Sequence, residues 1–219
     1  MSRPRSFDDT AVIEAALASF WGRGYNATSI RDLSAAMGIS SPSLYNAFGD
    51  KHALFCDALE HYCRTRTYPL IVRIEAEHPG AAAVPAFLAE IIERSIADRE
   101  RRGCFLINSA LETAPHDEAV AEAVRGHLSA IRAFLLRGLK ALGRRADAAG
   151  DADHLLAMLL GLRVLARTSP DRALLVRIVR SALLAAGYTS AQLRVLAPRR
   201  ARGTAVSAMK SRKQMERRT

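Results

Sequence analysis

Gly24-Tyr25-Asn26-Ala27-Thr28-Ser29-Ile30-Arg31-Asp32-Leu33-Ser34-Ala35-Ala36-Met37-Gly38-Ile39-Ser40-Ser41-Pro42-Ser43-Leu44-Tyr45-Asn46-Ala47-Phe48-Gly49-Asp50-Lys51 is the stretch on which the reading of this chain turns. Thr28 or Ser29 opens a short helix. Ser29 and Asp32 stand three apart as a capping box, and Ile30, Leu33 and Met37 form its apolar side. Gly38-Ile39-Ser40 makes a tight turn. Ser40 or Ser41 then caps a second short helix with Pro42 in its first turn, where the missing N–H leaves nothing unsatisfied. Gly49-Asp50 ends that helix and caps the next. Two short capped helices about a glycine-containing turn have the anatomy of a helix-turn-helix.

The residue types suit DNA. Ser40, Ser41 and Ser43 set small hydroxyl donors and free backbone N–H groups at the N-terminus of the second helix, the end that enters a major groove. Tyr45 is a phosphate donor, Asn46 a base or phosphate contact, and Lys51 reaches a flanking phosphate. The plainer reading is a small helical subdomain that carries Gly and Ser at these points by chance.

Helical periodicity dominates the flanking sequence, and no alternating strand pattern stands out, so the predicted fold class is all-α. Before the motif, Ser6-x-x-Asp9 caps a helix with the stripe Val12, Ile13, Ala16, Leu17, Phe20 and Trp21, stopped at Gly22 and Gly24. After it, helices are expected at about 51–77, kinked at Pro69, then 82–99, 104–113, 117–142, 152–167 and 171–186. Pro115 ends one of them, Ser169-Pro170-Asp171 starts another, and Gly187 stands where a C′ glycine belongs. Three parts follow: a three-helix DNA-binding head at 1–50, a helical ligand-binding and dimerisation body at 51–190, and a basic, disordered tail at 191–219.

The net charge of +10 is unevenly spread. From Arg194 to Thr219 there are nine basic residues against Glu216 alone, whereas residues 1–66 hold seven of each sign. The head is neutral overall, so high charge by itself says nothing about whether the head binds DNA. There is no signal-peptide pattern, and the most apolar run, Leu155 to Ala166, is short and broken by Arg163. The expectation is a soluble cytoplasmic protein with no membrane partner. Cys56, Cys63 and Cys104 are odd in number and lack metal-ligand spacing, which points to a reducing compartment, no disulfide framework, no metal and no cofactor.

Gly24 to Leu33, Ala36 to Ser40, Ser43 to Lys51 and Leu54-Phe55 closely resemble, in one unbroken register of about 50 residues, the head of the tetracycline-repressor (TetR) family. The resemblance implies a homodimer that presents two heads to successive major grooves of a palindromic operator. It places Thr28 as the cap of the second helix and a phosphate contact, and Tyr45 and Lys51 at phosphate-contacting positions. The family often carries Tyr-His where this chain has Asn46-Ala47, so two frequent backbone contacts are altered. Tyr25 and Phe48 read as core.

The body matches more loosely. Gly103 to Glu112 and Gly161 to Arg167 resemble segments of one branch of that family, some members of which sense electrophiles or oxidants through a cysteine. The 152–167 helix is apolar on more than one face and must be buried on two sides. Paired with 171–186 it would form a four-helix interface across a two-fold axis, with Leu155, Leu159, Gly161, Leu162, Leu175, Ile178 and Val179 as interface residues; a monomeric core is the alternative. Cys104 follows Arg101-Arg102-Gly103 near a helix start, features that favour a thiolate and make it a candidate sensor; the plainer and preferred reading is a small apolar side chain beside Phe105. Phe87, Phe105, Asn108, Glu112, His127, Phe134 and Met158 complete a candidate set for binding a small-molecule or electrophile inducer.

The resulting expectation is a repressor, not an enzyme. A ligand or redox signal acting on the body would release it from DNA through the fourth helix. Activation instead of repression is left open. A cysteine-based enzyme would need a base near Cys104, and no His or acid stands beside it in sequence. A non-specific binder driven by residues 198–219 would show steep salt dependence and no operator preference.

Overall fold

The computed structural model describes residues 9–143, 147–168 and 170–197. The caps expected at Ser6 and Ser169 and the tail from Pro198 onward lie outside the described residues. Within them the chain forms ten α-helices and no strand: α1 (Asp9–Arg23), α2 (Ile30–Met37), α3 (Ser41–Phe48), α4 (Lys51–Tyr62), α5 (Tyr68–Glu77), α6 (Ala83–Ala97), α7 (Phe105–Glu112), α8 (Glu118–Lys140), α9 (Ala148–Thr168) and α10 (Arg172–Ala185).

Short polar side chains set the helix starts. Ser29, not Thr28, caps α2: its hydroxyl accepts from Asp32 N at 3.1 Å while the Asp32 carboxylate accepts from Ser29 N at 3.0 Å. Ser40 caps α3, Asp50 caps α4 through Ala53 N at 2.8 Å, and Asp117 and Asp171 cap α8 and α10. Gly38 ends α2 with φ +67°, a left-handed conformation that costs other residues energy.

The single helix expected at 51–77 is divided. A π-helical stretch, Cys63–Thr67, separates α4 from α5, whose first turn contains Pro69. Proline supplies no N–H for the regular ladder, and the wider π turn accommodates the mismatch just before it.

Head and body share one core. Phe20 and Phe55 meet edge to face at 5.2 Å, Phe55 meets Phe105 of α7 at 5.5 Å, and Tyr62 meets Phe105 at 5.8 Å. Such aromatic pairs add to the area they bury, so α4 is held simultaneously by both parts. In the body α8 packs along α9, α10 packs on α9 and α6, and Gly138 of α8 lets α6 approach: a Cβ there would lie 2.5 Å from Val84 Cγ2.

Three expectations are corrected. The segment 191–197 is not part of a disordered tail, because Gln192–Leu196 form a short 3₁₀ turn that buries Leu193 and Leu196. Leu155, Leu159, Leu162, Leu175 and Val179 point into the protomer's own core and are unavailable to a partner. Helix α9 is two-sided, as its composition predicts, but its outward face is Gly161, Val164 (43 % exposed) and Leu165 (39 %), joined by the half-buried Ile178 and exposed Leu184 of α10. Finally, Thr28 is fully buried, and its hydroxyl donates to the Gly24 carbonyl at 2.6 Å; a side chain so enclosed is no phosphate contact. Among the described residues no helix is long and apolar enough to cross a membrane.

Candidate functional site

Two regions carry chemistry, the exposed side of α3 and a cavity in the body. In α3 Leu44 is buried and Phe48 packs half-buried against the head core, while Pro42, Tyr45 and Asn46 are exposed. Tyr45 is 49 % exposed, and Asn46 and Ser40 are exposed beside it. Ser41 and Ser43 are half-buried in a local hydroxyl network, Ser40 with Ser43 at 2.8 Å and Ser34 with Ser41 at 3.0 Å. These bonds orient the α3 N-terminus and can be exchanged for phosphate oxygens, since each hydroxyl both donates and accepts. Lys51 Nζ lies 4.3 Å over the Tyr25 ring, a cation–π contact that holds the ammonium at the start of α4, near the α3 C-terminus. Ser40, Ser43, Tyr45 and Asn46 thus belong to one short helix and its cap, and Lys51 opens the next helix.

The cavity has a volume of about 510 Å³ and lies among α6, α7, α8, α9 and the 98–104 loop, with Trp21 of α1 and Tyr62 of α4 in its wall. Of the residues expected to line a ligand site, Phe87 and Cys104 do so. Phe105, Asn108 and Glu112 instead line a smaller, more polar cleft of about 310 Å³ between head and body. Glu112 is occupied there, accepting from Tyr25 N at 3.2 Å and Asn26 N at 2.9 Å. His127, Phe134 and Met158 line neither space. Phe134 is core against Phe87 at 5.0 Å. Buried His127 is bonded through Nδ1 to the Tyr68 hydroxyl, and burial lowers its pKa against the opposing pull of Glu60.

Cys104 is half-buried, and the Tyr62 hydroxyl donates to its Sγ at 3.6 Å. Cys63 is buried, and burial first and Cys104 second push its thiol up to about 12, which keeps it protonated and unreactive. Among the cavity residues that sequence reasoning missed are Trp21, Tyr62, Ser95 and Arg163. Arg163 had left a visible signal, a lone charge inside an apolar helix, which was read only as breaking a membrane span.

Residues 12–58 match the bacterial regulatory proteins of the tetR family, and residues 80–181 match the LmrA/YxaF-like transcriptional regulator C-terminal domain. The chain is similar to a solved cysteine mutant of the TetR family transcriptional regulator CifR, complexed with 26-bp double-strand operator DNA. That likeness has 33 % identity and a TM-score of 0.72 and covers 84 % of this chain and 99 % of that one. Among curated proteins it resembles the HTH-type transcriptional regulator YezE of Bacillus subtilis, 34 % identical over 55 % of this chain and 62 % of the relative. It also resembles the HTH-type transcriptional repressor ComR of Escherichia coli, 30 % identical over 56 % and 59 %. The chain therefore spans about 60 % of the length of these curated relatives.

Proposed function

The chain belongs to the TetR family of bacterial regulatory proteins, and from that we propose that it is a cytoplasmic transcriptional repressor, which binds a palindromic operator as a homodimer and leaves it when an inducer acts on the body. The observation that carries this reading is the exposure of Ser40, Tyr45 and Asn46 on α3 and its cap, with half-buried Ser43 bonded to Ser40 and Lys51 opening the next helix. Donors of this kind fix a helix N-terminus on phosphates and leave an amide for a base edge. The operator complex of a 33 % identical regulator supports the same reading.

Homodimerisation is supported by the outward apolar face of α9 and α10 around Gly161, Val164, Leu165 and Leu184. An apolar face of two adjacent helices suits a two-fold four-helix contact. Coupling is supported by the cavity wall, because Trp21 and Tyr62, which meet edge to face at 5.1 Å, belong to the helices that carry the head. A ligand that favours one rotation of α1 and α4 biases the spacing of the two heads.

Operator selection from random duplexes at about physiological salt, with the whole chain and with a form ending at residue 197, tests the reading. The expected result is a palindromic motif that survives truncation. Absence of any enriched motif, with binding lost on truncation, would overturn it in favour of tail-driven binding.

Cys104 favours a second mode of release. It sits in the cavity wall with its sulfur against the Tyr62 hydroxyl, so an electrophile entering the cavity meets a thiol coupled to α4. N-ethylmaleimide should then release operator from the native chain and not from Cys104→Ser. Equal release from both would sink this mode.

A further inference from the structure

In the main cavity one half-buried guanidinium has only neutral partners. Arg163 of α9 donates from Nη1 to Ser95 Oγ at 2.8 Å and from Nη2 to the Gly103 carbonyl at 3.0 Å. A guanidinium carries five N–H donors, so these bonds leave part of the fork free. Among the described residues no carboxylate lies within ion-pair distance of it. The other arginines at the wall differ, and Arg99 and Arg101 among them are exposed to water. Arg66 is paired with Glu14, Arg94 with Glu90, and Arg102 with Asp98 and Glu100. Arg167 is exposed to water and bonded to the Arg101 carbonyl and Asn108.

A half-buried guanidinium without a counter-charge is costly, and a planar carboxylate is the group that fits its remaining donors. The surrounding wall is apolar, with Leu70, Phe87, Ile131 and Leu159 among its members. The acids of the wall, Asp98 and Glu100, are already engaged by Arg102, so the field inside favours an anion. A volume of about 510 Å³ is in the range of pockets that enclose a whole small molecule.

We propose that this cavity binds an organic acid, its apolar body seated among Phe87, Ile131 and Leu159 and its single carboxylate paired with Arg163. The carboxylate displaces or shares the Gly103 carbonyl at the guanidinium, so the 98–104 loop that leads into Cys104 senses occupancy. Only the regulatory consequence rests on the reading of the cavity as the inducer site. Binding itself is a property of the free protein.

Isothermal titration of the full chain without DNA tests it, using octanoate, 4-phenylbutyrate and indole-3-acetate, each against its primary amide. At least one acid should bind, with its amide about 10- to 100-fold weaker, the value of a charge-assisted pair. Arg163→Met should lower the affinity of the acid to that of the amide and leave the amide unchanged. Leu160→Trp, which narrows the cavity from a half-buried wall position, should abolish binding of both. Equal affinity of acid and amide, an acid preference that persists in Arg163→Met, binding that persists in Leu160→Trp, or no binding of any acid up to roughly millimolar concentration would each overturn the proposal. The acid–amide comparison on the unaltered chain decides the matter even where Arg163→Met does not fold. Operator release is measured separately. Acids that bind without releasing DNA leave this inference standing and remove the inducer reading.

Discussion

The Glu112 carboxylate of α7 accepts the backbone N–H of Asn26 at 2.9 Å, and at 3.2 Å that of Tyr25, in the turn between α1 and α2. One body side chain thus caps a head turn 86 residues away in sequence. Gly24 makes the approach possible: with φ +90° it already occupies the left-handed region, and a Cβ there would stand 2.7 Å from the Glu112 Oε2. The contact joins α7 to the turn after α1, and Gly24 and Glu112 both line the cleft between head and body.

Removing this cap should loosen the head without unfolding it. Glu112→Ala is expected to cost about 1–2 kcal/mol, less than two buried charged bonds because water can replace the acceptor. It should also reduce the factor by which inducer and operator oppose each other. Urea denaturation and operator titration with and without inducer check both. Gly24→Ala adds backbone strain to the same loss and should be the more destabilising of the two.

The head's contacts should separate by kind. Tyr45→Phe and Lys51→Gln are expected to weaken binding about equally across operator variants, with the salt slope falling by about one for Lys51. Asn46→Ala should change the preferred base at one position of each half-site, by about 1–3 kcal/mol of discrimination. Binding titrations over a salt series and an operator variant set distinguish the two patterns.

Assembly and core stability should respond to different leucine-rich positions. Val164→Asp places a charge on the outward face of α9 and should give a folded monomer by light scattering. Leu159→Ala, on the inward face, should cost about 2–5 kcal/mol in denaturation while the native form keeps its oligomeric state. A dimer that persists in Val164→Asp would remove the proposed interface.

Glu14 should contribute a pH-dependent share of stability. The Arg66 guanidinium that bonds it, with His61 adding to the effect and burial opposing it, lowers its pKa from 4.5 to about 2. Because the folded-state value is depressed, the contribution is complete above pH 4.5 and is lost as pH falls toward about 2. The difference in melting temperature between the native chain and Glu14→Gln should therefore be constant at neutral pH and shrink on acidification through that window. A difference independent of pH would contradict the assignment.

The helix-turn-helix was legible because its determinants are local. Caps, a left-handed glycine and an N-terminal proline act within four residues, and Ser29, Gly38, Ser40 and Asp50 occupy the positions their chemistry demands. Helix periodicity likewise marked α8, α9 and α10 to within a few residues. The family resemblance places Thr28 as a cap and on a phosphate, and nothing local in the sequence speaks against it. Only the fold shows that its bond goes back to Gly24 and that its surface is gone.

The sequence alone determined an all-α chain with a helix-turn-helix head in front of an apolar helical body, because periodicity and capping are short-range and each element announces itself. Only the tertiary structure decided which side of α9 faces inward, that Glu112 ties the body to the head, and that Arg163 stands in a cavity wall with no acid paired to it among the described residues. Those facts depend on where helices distant in sequence are rotated against one another. A helix that is apolar on two sides, or a charge within it, has no preferred direction until its neighbours are in place.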